Sequence, residues 1–107
     1  MNLDELLQRL RRVCTAPDTS REAIKSALED LLVWLNMPSN NSDENCRKVD
    51  VFVATQIESA DINRLPEDIQ GILFDIGGAL HDTHTSPSIA ENFASTPKQL
   101  LDRVRRL

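Results

Sequence analysis

A chain of 107 residues has material for one domain with one core, and not for two. With 40% hydrophobic and 27% charged residues it is ordinary globular material rather than disordered chain, and its apolar runs fall far short of the roughly 20 residues that cross a bilayer. The net charge of −5 is unevenly spread. Residues 1–35 carry six acids and five bases (−1), residues 42–92 ten and three (−7), and residues 93–107 one and four (+3), so the middle of the chain should repel nucleic acid and attract a basic protein.

The first stretch places Leu3, Leu6, Leu7, Leu10 and Val13 at helical spacing. Asn2 is a candidate N-cap, Asp4 and Glu5 sit in the first turn, and Ala16-Pro17 marks the stop. This N-terminus carries acids early and has no apolar h-region, so it does not read as a secretory signal, and a cytoplasmic protein is expected. Thr19 with Glu22 three residues on is a capping-box pattern for a second helix, whose apolar face is Ala23, Ala27, Leu28, Leu31, Leu32 and Leu35. The two helices should pair as an antiparallel hairpin over residues 1–35.

Asn36 to Asn41 (NMPSNN) is the clearest loop, since Pro, Ser and Asn all offer the backbone alternatives to a helix. Residues 42–57 are ambiguous. Val49-Asp50-Val51-Phe52-Val53 alternates like a strand, yet Cys46, Val49, Val53 and Ile57 form a helical stripe that Ser42 or Asn41 can cap. A helix is the better reading, because a lone strand would have no partner in this chain. Glu58 to Asn63 reads as a polar connection.

Pro66 suits the first turn of the next helix, with Glu67 and Asp68 favourable against its dipole. Ile69, Ile72, Leu73, Ile76 and Leu80 form its apolar arc, Phe74 projects off that arc, and the polar string after His81 ends it. Ser86-Pro87 can open a short helix carrying Ile89, Ala90 and Phe93. Thr96-Pro97-Lys98-Gln99 then opens a final one with Leu100, Leu101, Val104 and Leu107 apolar, its Arg103, Arg105 and Arg106 suited to the C-terminal dipole. The expected fold is all-α: one small domain of five or six helices, with residues 42–107 packing against the hairpin.

The unusual residues gather between Leu65 and Phe93, which hold all three glycines and both histidines. At about 100° per residue, Asp68, Gly71, Asp75, Gly78 and Asp82 fall on one helical stripe, carboxylates alternating with positions that lack a side chain. Long Arg or Lys side chains, or another backbone, fit such gaps; so does close packing within the domain. His81-Asp82-Thr83-His84 suggests a metal site, but a metallohydrolase needs further histidines that the chain lacks, so no metal is expected. Neither histidine lies beside a nucleophile elbow, and Gly71 to Gly78 follows a helix start without the Lys of a phosphate loop. No catalytic residue and no cofactor is expected. Cys14 and Cys46 sit at apolar helical positions and read as buried free thiols. Tyrosine is absent and the aromatics are Trp34, Phe52, Phe74 and Phe93, too few for single-strand stacking platforms.

The phrases LPEDIQGIL, Leu80-His81-Asp82-Thr83, Ala90-Glu91-Asn92-Phe93 and Thr96-Pro97 with Gln99-Leu100-Leu101 occur in an order that resembles the small bacterial immunity proteins of contact-dependent growth inhibition systems. The resemblance covers Leu65 to Arg103. It implies a cytoplasmic, non-enzymatic protein that binds a cognate toxin domain, in all probability one to one, and blocks its active site. Such toxins are frequently nucleases, ribonucleases among them, with basic clefts that an acidic surface can cover. On this reading the contact surface lies within residues 58–93. It comprises Asp68, Asp75 and Asp82, with Glu67, His81, His84 and Glu91 nearby, Glu58 and Asp61 in the preceding connection, and Phe74 as an aromatic anchor. The alternatives are a helical adaptor or regulatory subunit, dimerising through the Gly/Asp stripe, and an enzyme using the turn at His81 to His84.

Overall fold

The computed structural model describes residues 2–85 and 97–107, with side chains for 2–77 and 97–107. Six helices account for the regular structure of these residues: α1 (Leu3–Thr15), α2 (Arg21–Asn36), α3 (Asp43–Gln56), α4 (Ser59–Ile62), α5 (Glu67–Thr85) and α6 (Pro97–Arg105). The all-α architecture is as the periodicities indicate, and the alternating stretch around Val51 is helical.

Local chemistry sets the boundaries. Asn2 caps α1, its Oδ1 accepting from the Glu5 N–H at 2.9 Å, and Ser42 caps α3 by accepting from Asn45 at 3.2 Å. The start of α2 corrects the capping-box expectation. Thr19 is consumed by a turn in which its N–H donates to the Ala16 carbonyl, so Ser20 caps instead and accepts from Ala23 at 3.1 Å. Glu22 is left in the first turn, favourable to the dipole but outside a capping box. The Thr19 hydroxyl is buried with no partner. Two further corrections concern length. Glu58 to Asn63 is not merely a connection, because burying Ile62 winds one turn, α4, whose Ile62 N–H donates to the Glu58 carbonyl. And α5 runs past His81 to Thr85, since its polar end contains no breaker until Pro87, which disfavours helix at Ser86. The short helix expected from Ser86 and the Thr96 cap lie outside the described residues.

Two helix pairs make the body. α1 and α2 form the hairpin, with Arg9 reaching across to Asp30 and, at 2.9 Å, to the Ser26 hydroxyl. α3 and α5 form the most extensive interface and run antiparallel, Gly77 lying against Val53 and Ala54. α6 joins the pairs. It packs along α2, where the Asn36 side chain donates to the Pro97 carbonyl at 3.0 Å, and it also touches α5. One buried cluster runs through all six helices, centred on Leu10, Leu28, Leu31, Leu32, Leu35, Ile69, Leu73, Ile76 and Leu100. Ile24 belongs to it although the hairpin's predicted face omitted it, because α2 is covered by α1 on one side and α6 on the other, and the buried arc is correspondingly wider.

Candidate interaction surface

The aspartate stripe of α5 is occupied from within the chain. Asp68 receives a two-pronged contact from the Arg21 guanidinium of α2, Nη1 to Oδ1 at 3.0 Å and Nη2 to Oδ2, and Asp75 is paired with Arg103 of α6. A Cβ placed on Gly71 would lie 3.5 Å from Arg103 Nη2, so the guanidinium rests over the glycine gap beside Asp75. The gaps therefore hold long arginine side chains, as the pattern suggested, but the arginines belong to α2 and α6. Arg103, expected at its own helix terminus, serves this seam instead. Both pairs remain partly exposed, so each contributes little net stability.

The Arg21 hydrogen bonds hold the Asp68 carboxyl below its ordinary value of 3.8, helped by the Ile69 N–H at 2.9 Å and opposed by partial desolvation. A depressed carboxyl pKa stabilises the fold above the unfolded value and loses that contribution as pH falls through the folded one. The melting temperature of Asp68→Asn should accordingly lie below that of the parent chain near neutrality, and the gap should close as the pH drops below about 4. A gap independent of pH would remove the charge from this account.

The remaining site residues fall into separate groups. Asp61 is paired with Arg64 through an i,i+3 contact and is the least exposed carboxylate of the set. Glu58 and Glu67 are exposed. Glu58 begins α4 without making a side-chain cap bond, whereas Glu67 borders a groove that also holds Arg103 and Arg106. Phe74 is 51% exposed, off the core arc as expected, at the edge of a cavity of about 220 Å³ between α3, α4 and α5. His81, Asp82 and His84 belong to the last turns of α5, but their side chains, like Glu91, lie outside the described residues. Ile69, Ile72, Leu73 and Ile76 are buried as expected, while Leu80 and Gly78 lie outside the described side chains.

One surface feature went unforeseen. A groove of about 500 Å³ between α1 and α3 is floored by Leu7, Val51 and Phe52 and rimmed by Asp4, Glu44, Arg47 and Lys48. Val51 is 51% exposed there. The strand-like alternation of its neighbours hid it, because only a helical reading puts Val51 opposite the Cys46, Val49 and Val53 stripe. Among the described residues no group of three His, Cys, Asp or Glu side chains is placed to hold a metal ion, and no helix is long and apolar enough to cross a membrane. No protein-family model, no curated protein and no solved structure matches the chain.

Proposed function

We propose that this domain is a cytoplasmic immunity protein that neutralises a basic toxin domain, a nuclease, by binding it one to one over its substrate cleft and performing no chemistry of its own. The observation that carries the reading is an aromatic ring, Phe74, half exposed in a stretch where six acids meet one base. From Glu58 to Asp82 the acids are Glu58, Asp61, Glu67, Asp68, Asp75 and Asp82, and the base, Arg64, is already paired with Asp61. Monomeric proteins expose few large apolar side chains among like charges without use for them, and aromatic residues ringed by polar groups are characteristic of interface centres. Carboxylates presented around such a ring can occupy the positions that phosphates take in a nuclease cleft.

The internal pairing of Asp68 and Asp75 shifts the weight of the contact. Reversing either charge would place like charges beside Arg21 or Arg103 and disturb the fold, so Glu58 and Glu67, with Phe74, are the residues through which binding is best tested. The test is inhibition of the toxin domain encoded immediately upstream of this reading frame. Glu58→Lys with Glu67→Lys should slow association by about tenfold at low ionic strength, and the deficit should shrink at high salt. Unaltered association would refute the acidic contact. A helical adaptor acting through the apolar α1–α3 groove is the alternative, and it predicts no protection against the toxin at all.

A further inference from the structure

Gly77 is a glycine the fold does not require. It lies inside α5, where glycine is destabilising relative to alanine. A Cβ built on it would meet Val53 Cγ1 at 3.6 Å and the Ala54 backbone at 3.7 and 3.8 Å, all ordinary contact distances. Its backbone dihedrals are not of the kind reserved for glycine either. Helix packing and conformation thus both tolerate alanine here. What a methyl group would change is the cavity between α3, α4 and α5, which Gly77 lines together with Val53, Ile57 and Phe74.

That cavity has a definite chemistry. Its walls are aliphatic, one rim is the exposed Phe74 ring, and among the described residues none of its lining side chains is charged. Glu58, exposed and with no cap bond of its own, lies between the lining residues Ile57 and Ser59. An aliphatic trough ending at an aromatic face and a carboxylate matches a side chain with a long apolar stem and a delocalised cationic tip. A guanidinium stacks on an aromatic ring and tolerates partial desolvation better than an ammonium. We infer that this slot receives an arginine side chain presented by the protein partner, and that Gly77 is kept as glycine to leave the slot deep enough. The inference rests on the reading of the domain as a binder of a basic protein and names the group it grips.

The experiment uses the side chain alone. N-acetyl-arginine amide is titrated into the full chain and followed by methyl and aromatic NMR, with N-acetyl-citrulline amide, its neutral near-isostere, as the control. Arginine should move the Val53 and Ile57 methyls and the Phe74 ring, and citrulline should bind about tenfold more weakly, as expected for a desolvated cation–π contact. Glu58→Gln should weaken the arginine response by about threefold, the effect of one partly exposed charge. Gly77→Ala should raise the melting temperature by about 4 °C while weakening arginine binding by at least about threefold, so that stability and binding move in opposite directions. Equal binding of citrulline, absence of shifts at those three residues, or an unimpaired Gly77→Ala variant would each overturn the inference. Because the probe is not the toxin, the two readings fail separately. A chain that takes up arginine but gives no protection refutes the immunity function and leaves the slot, and a chain that protects but ignores arginine does the reverse.

Discussion

Leu28→Ala is expected to lower the free energy of unfolding by about 3 kcal/mol, within the range of roughly 2–5 kcal/mol for large-to-small changes in a close-packed core. Leu28 is fully buried at the middle of α2, the helix flanked by α1 on one side and α6 on the other. Neither neighbour can close over the missing atoms without losing its own contacts, so most of the cavity should persist. Domains of this size are stable by only about 5–15 kcal/mol, which makes the loss a large fraction of the whole. Urea denaturation followed by the fluorescence of Trp34, which packs against the same core, should show a lower midpoint with an unchanged slope. Val33→Ala, one helical face away and only partly buried, should cost markedly less. Comparable losses for the two would contradict the placement of the core.

The second large effect concerns the thiols. Cys14 and Cys46 are free and buried. Burial, with a smaller contribution from the Asp61 charge, pushes the Cys14 thiol up to about 12, and burial aided by the Asp43 charge pushes Cys46 up to about 11. The thiolate is the reactive species, so alkylation by iodoacetamide at pH 8 should be about a hundredfold slower at Cys46 and about a thousandfold slower at Cys14 than in the denatured chain. The same shifts fix an alkaline limit. A thiol whose folded pKa is raised keeps its proton after the unfolded chain has released it, so stability is full below about pH 9 and declines as the pH climbs through 11 and 12. Rapid labelling of either cysteine in the native protein would mean that its helix opens locally.

Those thiols illustrate what could be read from the letters alone. Both occupy apolar helical positions, and local periodicity places them inside without any knowledge of their neighbours. The same holds for the Asn2 and Ser42 caps and for the arc from Ile69 to Ile76, because the information lies within one or two turns of helix. Phe74 was separable for the same reason. The partners of Asp68 and Asp75 were not, since Arg21 is 47 residues away and Arg103 is 28, and no local rule pairs them. The stripe could be projected and its gaps recognised as seats for long cations, but whether those cations came from this chain or another depended on the path of the chain between the helices. The role of Thr19 was hidden differently: a turn and a cap compete for the same residue, and the pattern alone does not say which prevails. The α3–α4–α5 slot needed three elements to be assembled before its glycine could be told apart from the other two.

The seating of α6 along α2 bears on how the molecule comes into being. The Asn36 side chain donates to the Pro97 carbonyl across 61 residues of chain, and Leu100, Leu101 and Val104 supply part of the cover over the second helix. During synthesis the α1–α2 hairpin can form early from local contacts, but one flank of α2 stays open to water until residues 97–107 have been made. The final cooperative closure must therefore follow translation of that helix, and nascent chains halted before it would display an apolar strip suited to chaperone capture.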